Sequence, residues 1–516
     1  MPLNLSGMKP LVNVGEFPFR LLLLLVFLRT MDLVWVKSTY VPDEYWQSLE
    51  VAHNKVFGYG YLTWEWIEGI RSYVYVSLIS LLYAILKFFE LESPELIILA
   101  PRMLQGIISS VSDVYFIRWV HEKRNGQYSW AFISWFTTFF VSYCSTRTLI
   151  NTFEMNLTII ALYYYPWTPK TNNFPFVSIV TLLCFVRPTA GVIWLPLILI
   201  NISSVRKPVT YTLMSYLPNL ILVGGACVAL DSYMHGSLVV TPWNFFKTNV
   251  LKDIGSFYGT HDPLWYLYCG LPVVLGLQTL PFAIGCFRLA GTSRLSNLKY
   301  NLESQMFITI VWSILVYSLL PHKEFRFILP LAPMMIYISS GVLSKWSSTA
   351  SYSLLYFIGV VMISVHTGAL IFLGQFHQTG QLEAMEKLSL AAQNQTDMKI
   401  HFLTPCHSFP GYSHLHANVS TKYLNCEPNL DGAPDYVTED ELFFNNSRAW
   451  ADREYSTLRP CTLPSHIVTF DSVNITNFLY IRNYTRIHRI SHAEYFPDDK
   501  QGKFVHIYKR RGARCA

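Results

Sequence analysis

Residues 17–50 read FPFRLLLLLVFLRTMDLVWVKSTYVPDEYWQSLE, an apolar segment followed directly by an acidic and aromatic one. The apolar part, which ends at residue 36, has the length of a membrane-spanning helix, about 20 residues. It contains Arg29 and Asp32 and lacks a small-residue cleavage site, which predicts an uncleaved signal anchor. The stretch 41–50 then lies at or just beyond the membrane surface.

Two adjacent carboxylates, Asp43 and Glu44, distinguish this stretch. They are followed by Tyr45 and Trp46, residue types that belong at a membrane–water interface. A carboxylate that is poorly solvated at such an interface can be tuned as a proton acceptor. The same pattern also suits Asp43 as the N-cap of a short interfacial helix, and capping does not exclude catalysis.

The composition indicates a membrane protein with many spans. Of the 516 residues, 52% are hydrophobic and only 14% are charged. Soluble domains carry roughly 25% charged residues. The net charge of +6 is small for this length, and no basic patch alternates with aromatic residues, which excludes a nucleic-acid partner.

Ten further apolar stretches follow the first one, at 72–89, 97–120, 128–145, 153–167, 174–202, 209–230, 264–288, 305–320, 326–344 and 352–374. Most have the length that one spanning helix needs. The stretch 174–202 is too long for a single span and is interrupted by Arg187-Pro188-Thr189, so we predict two helices that meet there.

Basic loops decide the topology, because short loops rich in Lys and Arg stay cytoplasmic. Such loops lie at 121–124, 206–207, 288–299 and 345. With a cytoplasmic N-terminus, all of them fall on one side only if 72–89 makes no net crossing. We therefore expect that segment to lie on the lumenal surface or to be re-entrant. The result is an all-α polytopic protein with about 11 transmembrane helices and a lumenal C-terminus.

The C-terminal part has a different character, which divides the chain into a transmembrane module, 1–375, and a lumenal domain, 376–516. Five glycosylation sequons support translocation of the second part, at Asn394, Asn418, Asn445, Asn474 and Asn483. Short β-like pieces at 466–470 and 504–508 predict a small α/β domain.

Four cysteines lie in the same part of the chain, Cys406, Cys426, Cys461 and Cys515. In an oxidising compartment they are expected to form disulfides, although the sequence does not fix their pairing. No C-x-x-C pair or other metal-like spacing occurs among them, so we expect no metal site.

With this topology, five polar clusters share the lumenal side: the Asp43 loop, 147–154, 187–189, 231–262 and 321–327. Charged groups at membrane depth are costly and usually functional.

In the last cluster, His322, Lys323 and Arg326 can grip a phosphate while Glu324 holds the cations in place. The alternative is that these residues snorkel from helix ends to lipid headgroups. Arg187 fits two roles equally well, contacting phosphate or satisfying the carbonyl groups freed by Pro188.

A carboxylate base and a cation cluster on the same membrane face suit one type of reaction. The carboxylate deprotonates an acceptor hydroxyl, and the cations stabilise a departing lipid phosphate. Neither a metal ion nor a soluble nucleotide is needed for this chemistry.

These motifs resemble those of a known family. His322 to Phe327 and Pro42 to Glu44 resemble signatures of glycosyltransferase family 22, the lipid-dependent α-mannosyltransferases of the endoplasmic reticulum. The likeness is closest to the branch that acts on GPI-anchor precursors, and it includes 59–66, 146–149 and 405–408.

The resemblance implies a GT-C glycosyltransferase fold and dolichyl-phosphate-mannose as the donor. It also implies inverting transfer of a third, α1,2-linked mannose to a GPI lipid intermediate at the endoplasmic reticulum membrane, without a cofactor. By position, Asp43 is the base and Glu44 helps to orient the acceptor. The residues expected to bind the donor phosphate are His322, Lys323, Arg326 and Arg187. Substrate contacts are expected at Gln47, Trp64, Glu65, Arg147 and Glu324.

Three alternatives remain open from the sequence. A sister enzyme would add mannose to the N-glycan lipid precursor or add a fourth mannose to GPI. A transporter or lipid flippase would also bury charges among many helices, but no paired repeats with interrupted helices are visible. A structural scaffold gives no reason for buried charge at two lumenal sites.

Overall fold

The computed structural model describes residues 18–167, 174–292 and 301–511, apart from 396, 431, 457, 459–461 and 496. Contacts divide the chain into two compact units. The helical unit comprises Met1–Val34, Glu65–Tyr75 and Arg102–Leu370, and the sheet unit comprises Trp35–Trp64, Val76–Pro101 and Ile371–Ala516. The division of the chain after residue 375 stays a prediction.

The α-helices of the described residues are numbered in chain order. They are α1 Pro18–Trp35, α2 Glu50–Phe57, α3 Trp64–Ile67, α4 Tyr73–Phe88, α5 Pro94–Lys123, α6 Ser129–Phe136, α7 Phe139–Ser145, α8 Ile150–Tyr164, α9 Phe174–Val186, α10 Ala190–Ser203, α11 Pro208–Tyr211, α12 Leu217–Asn219, α13 Gly225–His235, α14 Thr241–Phe246, α15 Leu271–Leu275, α16 Thr279–Thr292, α17 Leu302–Leu319, α18 Ala332–Ser347, α19 Tyr352–Ile371, α20 Gly380–Gln393, α21 Tyr412–Leu415, α22 Glu439–Asn445, α23 Ser447–Ser456 and α24 Thr476–Ile481. Two irregular turns matter for the site, a π-helical turn at Tyr45–Leu49 and a 3₁₀ turn at Phe325–Leu331.

Six helical stretches among the described residues are long and apolar enough to cross a membrane: Pro94–Lys123, Pro208–His235, Tyr266–Gly291, Leu302–Leu319, Phe325–Ser347 and Tyr352–Gln393. Shorter apolar helices are Tyr73–Phe88, Phe174–Val186 and Ala190–Ser203. The protein is therefore a largely helical, multi-pass membrane protein, as predicted.

Two interruptions in the apolar stretches have local causes. The predicted break at Arg187-Pro188-Thr189 is confirmed, because α9 ends just before it and α10 begins just after it. The stretch 128–145, expected as one element, is instead two helices, α6 and α7. At their junction the hydroxyl groups of Thr137 and Thr138 donate to the carbonyls of Ile133 and Ser134, at 2.7 and 2.6 Å. Such back-bonding bends helices.

The charges inside the first apolar segment are paired. Arg29 is 1% exposed, and its guanidinium donates to both oxygens of Asp113 at 2.7 and 3.0 Å and to Asp32 at 2.8 Å. The indole Nε1 of Trp135 donates to Asp113 at 2.7 Å. Since unpaired charges at this depth are costly, the network lets Arg29 lie on an otherwise apolar helix.

The sheet unit contains five strands: β1 Lys399–Leu403, β2 Ser420–Tyr423, β3 His466–Phe470, β4 Tyr484–Ser491 and β5 Phe504–Arg510. Their order is β2-β1-β3-β5-β4. β1 pairs in parallel with β2 and β3, and β5 pairs antiparallel with β3 and β4.

Apolar side chains cover both faces of this sheet. Val468 packs in one core with Met385 of α20, and the neighbouring Ile467 packs in a second core with Trp450 of α23. Opposite faces for successive residues are the geometry of a β-strand. The predicted strands at 466–470 and 504–508, and the small α/β region that they indicated, are confirmed.

All five sequon asparagines are exposed: Asn394, Asn418, Asn445, Asn474 and Asn483. We predict that they carry glycans in a translocated tail and that removal of N-glycans increases the gel mobility of the protein. A tag in the turn at 125–127 should react only from the cytosol, because the adjoining loop is basic. Protection of that tag in sealed microsomes would contradict the topology.

Candidate active site

The acidic loop begins with a tight turn at Pro42. Its carbonyl accepts hydrogen bonds from the backbone N–H groups of Tyr45 and Trp46, both at 3.0 Å. Pro suits this first-turn position because its φ is already helical. The chain then runs through the π-helical turn Tyr45–Leu49 into α2, and π-helical turns occur frequently at functional sites.

The two candidate carboxylates differ in their surroundings. Asp43 is half-buried, and the Nε2 of Gln47 donates to its Oδ2 at 2.5 Å. Glu44 is 2% exposed. Gln47, predicted to contact substrate, therefore orients the carboxylate predicted to be the base. Trp64, on the same unit, is buried.

A third carboxylate, which the sequence reasoning missed, fixes this loop to the C-terminal part of the chain. Glu50 is fully buried and accepts hydrogen bonds from the N–H groups of Gly411 and Ser413, at 2.9 and 3.1 Å, and from the hydroxyl of Ser413. A Cβ on Gly411 would lie 2.8 Å from Glu50 Oε2, so a side chain there would displace the carboxylate. Burial raises the pKa of Glu50 to about 7, against the lowering effect of these hydrogen bonds.

Trp46 makes a second connection to the same part. Its Nε1 donates to the carbonyls of His407 and Phe409 at 3.0 and 3.1 Å, and its ring lies 4.7 Å from the His407 ring. His407 has a φ of +57°, a conformation that non-glycine residues rarely adopt. Burial lowers the pKa of His407 to about 4, although the charge of Asp43 acts in the opposite direction. The ring is thus neutral near pH 7, close to the candidate base.

Cys406 and Cys426 form a disulfide beside this histidine. Disulfide bonding is confirmed for this pair, whereas Cys461 and Cys515 lie outside the described residues. Cys406, His407 and Cys426 are also close enough together to hold a metal ion. As long as the sulfurs are joined, neither is the thiolate that a metal would need.

In the helical unit, Glu324 gathers two of the predicted phosphate-binding residues. The Nε and Nη2 atoms of Arg326 donate to its two oxygens at 2.6 Å each, and Nε2 of His322 lies 3.1 Å from Oε1. Burial alone raises the pKa of Glu324, but the charges of Arg326 and His322 outweigh it and hold that pKa well below its usual range. Asn151 fixes the backbone here by donating to the Arg326 carbonyl at 3.1 Å.

Lys323 lies differently from its neighbours. Its ammonium donates to the carbonyls of His261 and Leu320 at 3.0 and 2.5 Å, and the residue is 3% exposed. Burial lowers the pKa of Lys323, while Asp262 raises it. The ammonium group thus connects the segment that contains Lys323 to the segment 259–262. The sequence spacing did not predict this contact.

Arg187 adds positive charge next to Arg326. Its Nε lies 2.9 Å from Glu154 Oε2. Its guanidinium stands 5.3 Å from the Phe327 ring centre, and that of Arg326 stands 5.7 Å from the same centre. The two guanidinium groups thus lie near one aromatic ring, each paired with a carboxylate that a bound anion would have to share it with.

The remaining predicted residues of this unit are engaged in local contacts. Arg147 is 1% exposed, donates to the Tyr143 carbonyl at 3.1 Å and stacks on the Tyr143 ring. Glu65 pairs with Arg71 at 2.5 Å. The structure thus groups Arg187, His322, Glu324 and Arg326, and it places Arg147 and Glu65 in separate contacts of their own.

A family model described as "Alg9-like mannosyltransferase family" matches residues 20–416. The chain belongs to the Alg9-like mannosyltransferase family. It is therefore a glycosyltransferase, and the transporter and scaffold alternatives are excluded.

Named relatives in this family match almost the whole chain. GPI mannosyltransferase 3 of Drosophila melanogaster is 42% identical over 92% of this chain and 83% of its own length. GPI alpha-1,2-mannosyltransferase 3 is 36% identical in Danio rerio, over 98% of this chain and 92% of the relative. The Homo sapiens protein of that name is also 36% identical, over 95% of this chain and 87% of the relative.

The fold of this Alg9-like mannosyltransferase is shared with a solved crystal structure. The crystal structure of ArnT from Cupriavidus metallidurans bound to undecaprenyl phosphate has a TM-score of 0.53, with 10% sequence identity. The match covers 95% of this chain and 97% of that one, and the apo structure gives a TM-score of 0.54. The expected GT-C type of fold is confirmed, while the number of spans stays a prediction.

Arg326→Lys tests the cation cluster. Lysine keeps the charge but loses the planar fork that binds Glu324 and fits a phosphate, so we predict a loss of turnover of roughly tenfold or more with near-normal abundance. The half-exposed Arg118 of the same unit provides the control, Arg118→Lys, with unchanged turnover. An equal loss of abundance and activity would instead indicate a structural ion pair.

Asp43→Asn tests the base. Asparagine keeps the shape, the oxygen that accepts from Gln47 and the ability to cap a helix, but it cannot take a proton. We predict that turnover falls by about 10²-fold or more while donor binding is retained. Glu44→Gln is the comparison variant. Near-normal turnover of Asp43→Asn would remove Asp43 as the base.

Glu50→Gln tests the buried carboxylate through pH. Because the pKa of Glu50 rises on folding from 4.5 to about 7, its contribution to stability is fully present below pH 4.5 and is lost as the pH rises through 7. The loss is on the order of 3 kcal/mol. We therefore predict that Tm falls from pH 5 to pH 8 in the wild type and falls less in Glu50→Gln.

The exposed Glu386 lies on the same unit, and Glu386→Gln is the matched control for the change in charge. It should keep the wild-type dependence of Tm on pH. If Tm depends on pH in the same way in Glu50→Gln and in the wild type, Glu50 does not titrate in the expected pH range.

Proposed function

We propose that this chain is an α1,2-mannosyltransferase that adds the third mannose to a GPI-anchor precursor, with dolichyl-phosphate-mannose as the donor. The observation that carries the proposal is the likeness to GPI alpha-1,2-mannosyltransferase 3, at 36% identity over 95–98% of this chain in Danio rerio and Homo sapiens. These names favour GPI over the N-glycan lipid precursor.

A polyprenyl phosphate carrier is supported by two features. ArnT, which shares the fold, has been crystallised with undecaprenyl phosphate, a phosphate on a long isoprenoid chain. In this chain, His322 and the guanidinium groups of Arg326 and Arg187 provide N–H donors that a lipid phosphate would share with their carboxylate partners. Lys323, bonded to backbone carbonyls, would contribute charge and hold the loop.

The reaction is a single displacement. Asp43 takes the proton of the acceptor hydroxyl as that oxygen forms a bond to C1 of mannose. The bond from C1 to the phosphate oxygen breaks on the opposite face, and its electron pair leaves with dolichyl phosphate. A β-linked donor thereby gives an α-linked product. Cations near the departing phosphate stabilise the charge that develops there, so no general acid is needed.

Other residues would position the substrates. Gln47 holds Asp43 through the contact at 2.5 Å, and the buried Glu44 would help to orient the acceptor. Contacts from Trp64, Glu65 and Arg147 to substrate remain part of the proposal. No step requires a metal ion or a cofactor.

We place the reaction on the lumenal side of the endoplasmic reticulum membrane. The basic loops on the opposite side and the exposed sequon asparagines of the tail support this orientation. About 11 spans, with 72–89 making no net crossing, belong to the same proposal.

The test uses purified full-length protein with dolichyl-phosphate-mannose and a GPI intermediate that carries two mannoses. We expect one added mannose, which an α1,2-specific mannosidase removes. A three-mannose GPI intermediate and an N-glycan lipid precursor are the matched alternative acceptors. Transfer to either of these but not to the two-mannose intermediate would overturn the proposal.

A further inference from the structure

A cavity of about 520 Å³ lies in the sheet unit beside the acidic loop. Its size falls in the range of ligand-binding pockets, ~300–1,000 Å³. The residues of its wall that matter here are Tyr61, His407, Lys422, Tyr423, Glu427 and Glu439. None of them belongs to the catalytic or phosphate-binding sets described above.

His407 connects this cavity to Asp43. The residue forms part of the wall, and its ring lies 4.7 Å from the ring of Trp46, which follows Asp43 by three residues on the acidic loop. Trp46 holds the His407 carbonyl at 3.0 Å, which keeps the residue in its unusual backbone conformation. Such strain persists where the surroundings over-determine it, often at ligand-binding sites. A ligand in the cavity would therefore reach the vicinity of the base.

The charges of the wall disfavour an anion. The ammonium of Lys422 is 2.6 Å from Glu454 and 3.8 Å from Glu439, so its charge is already balanced by carboxylates. Glu427 adds a further carboxylate, which accepts from the hydroxyl of Tyr61 at 3.2 Å. Carboxylates accept hydrogen bonds only. The wall thus suits a neutral ligand with many hydroxyl donors rather than a phosphate.

Two aromatic rings complete the wall. Trp46 packs edge-on against Tyr61 and Tyr423, with ring centres 5.9 and 5.3 Å apart, which limits their movement. The face of an aromatic ring carries partial negative charge and attracts polarised C–H groups. One face of a hexose ring presents such C–H groups, while hydroxyls project from its edge.

We propose that this cavity binds the neutral hexose residues of the acceptor that precede the hydroxyl to be glycosylated. Tyr61 contacts a sugar ring face, Glu427 accepts from sugar hydroxyls, and His407 forms the end of the subsite nearest Asp43. The inference rests on the proposed function, because it takes the acceptor to be a mannose-containing glycolipid.

The experiment measures steady-state kinetics of the full-length protein with the two-mannose GPI intermediate and dolichyl-phosphate-mannose, each varied in turn. Tyr61→Ala should raise the KM for the acceptor about tenfold, with an unchanged KM for the donor. Tyr61→Phe keeps the ring and should change the acceptor KM much less. Glu427→Gln, an independent variant, should also raise the acceptor KM and leave the donor KM unchanged.

Tyr480→Ala is the control, because Tyr480 is 84% exposed on the same unit and should not affect either KM. An acceptor KM within twofold of wild type in both Tyr61→Ala and Glu427→Gln overturns the subsite. A rise in both KM values overturns it as well, since that indicates a general structural effect. Failure of the wild type to use this acceptor would instead contradict the proposed function itself.

Discussion

The arrangement around the acidic loop depends on one buried carboxylate. Glu50 is fully buried, and a carboxyl group in such a place is tolerated only when its oxygens are well hydrogen-bonded. The N–H groups of Gly411 and Ser413 and the hydroxyl of Ser413 supply those bonds. Since Asp43 lies two helical turns before Glu50, its position follows from this anchor. The C-terminal part of the chain is thus a structural partner of the acidic loop.

The helical unit meets a similar constraint by pairing its charges. Arg29 is paired with Asp113, and Arg187 is paired with Glu154. Arg326 donates to Glu324 through two nitrogens of its guanidinium group. Each pair reduces the cost of keeping a cation among apolar helices. The guanidinium groups of the last two pairs both lie within 6 Å of the Phe327 ring centre, at 5.3 and 5.7 Å, where a lipid phosphate is proposed to bind.

Local features of this architecture could be predicted from the sequence, whereas contacts between distant residues could not. The break at Pro188, the strand 466–470 and the cation cluster around Glu324 follow from proline chemistry, β-type residues and charges within five positions. The contact of Glu50 with Gly411 spans 361 residues, and that of Trp46 with His407 the same number. No local pattern encodes such pairs. The likeness of 405–408 to a family motif was the available signal, but it gave no partner.

Hydrogen–deuterium exchange of the full-length protein in lipid nanodiscs tests the central claim most directly. If Glu50 anchors the acidic loop, the amides of Gly411 and Ser413 exchange slowly in the wild type. Glu50→Ala should then increase exchange both in a peptide covering 411–413 and in one covering 45–57, while β5 is unaffected. Exchange of 411–413 at the rate of an exposed loop in the wild type, or a response of only one of the two peptides, would contradict the account.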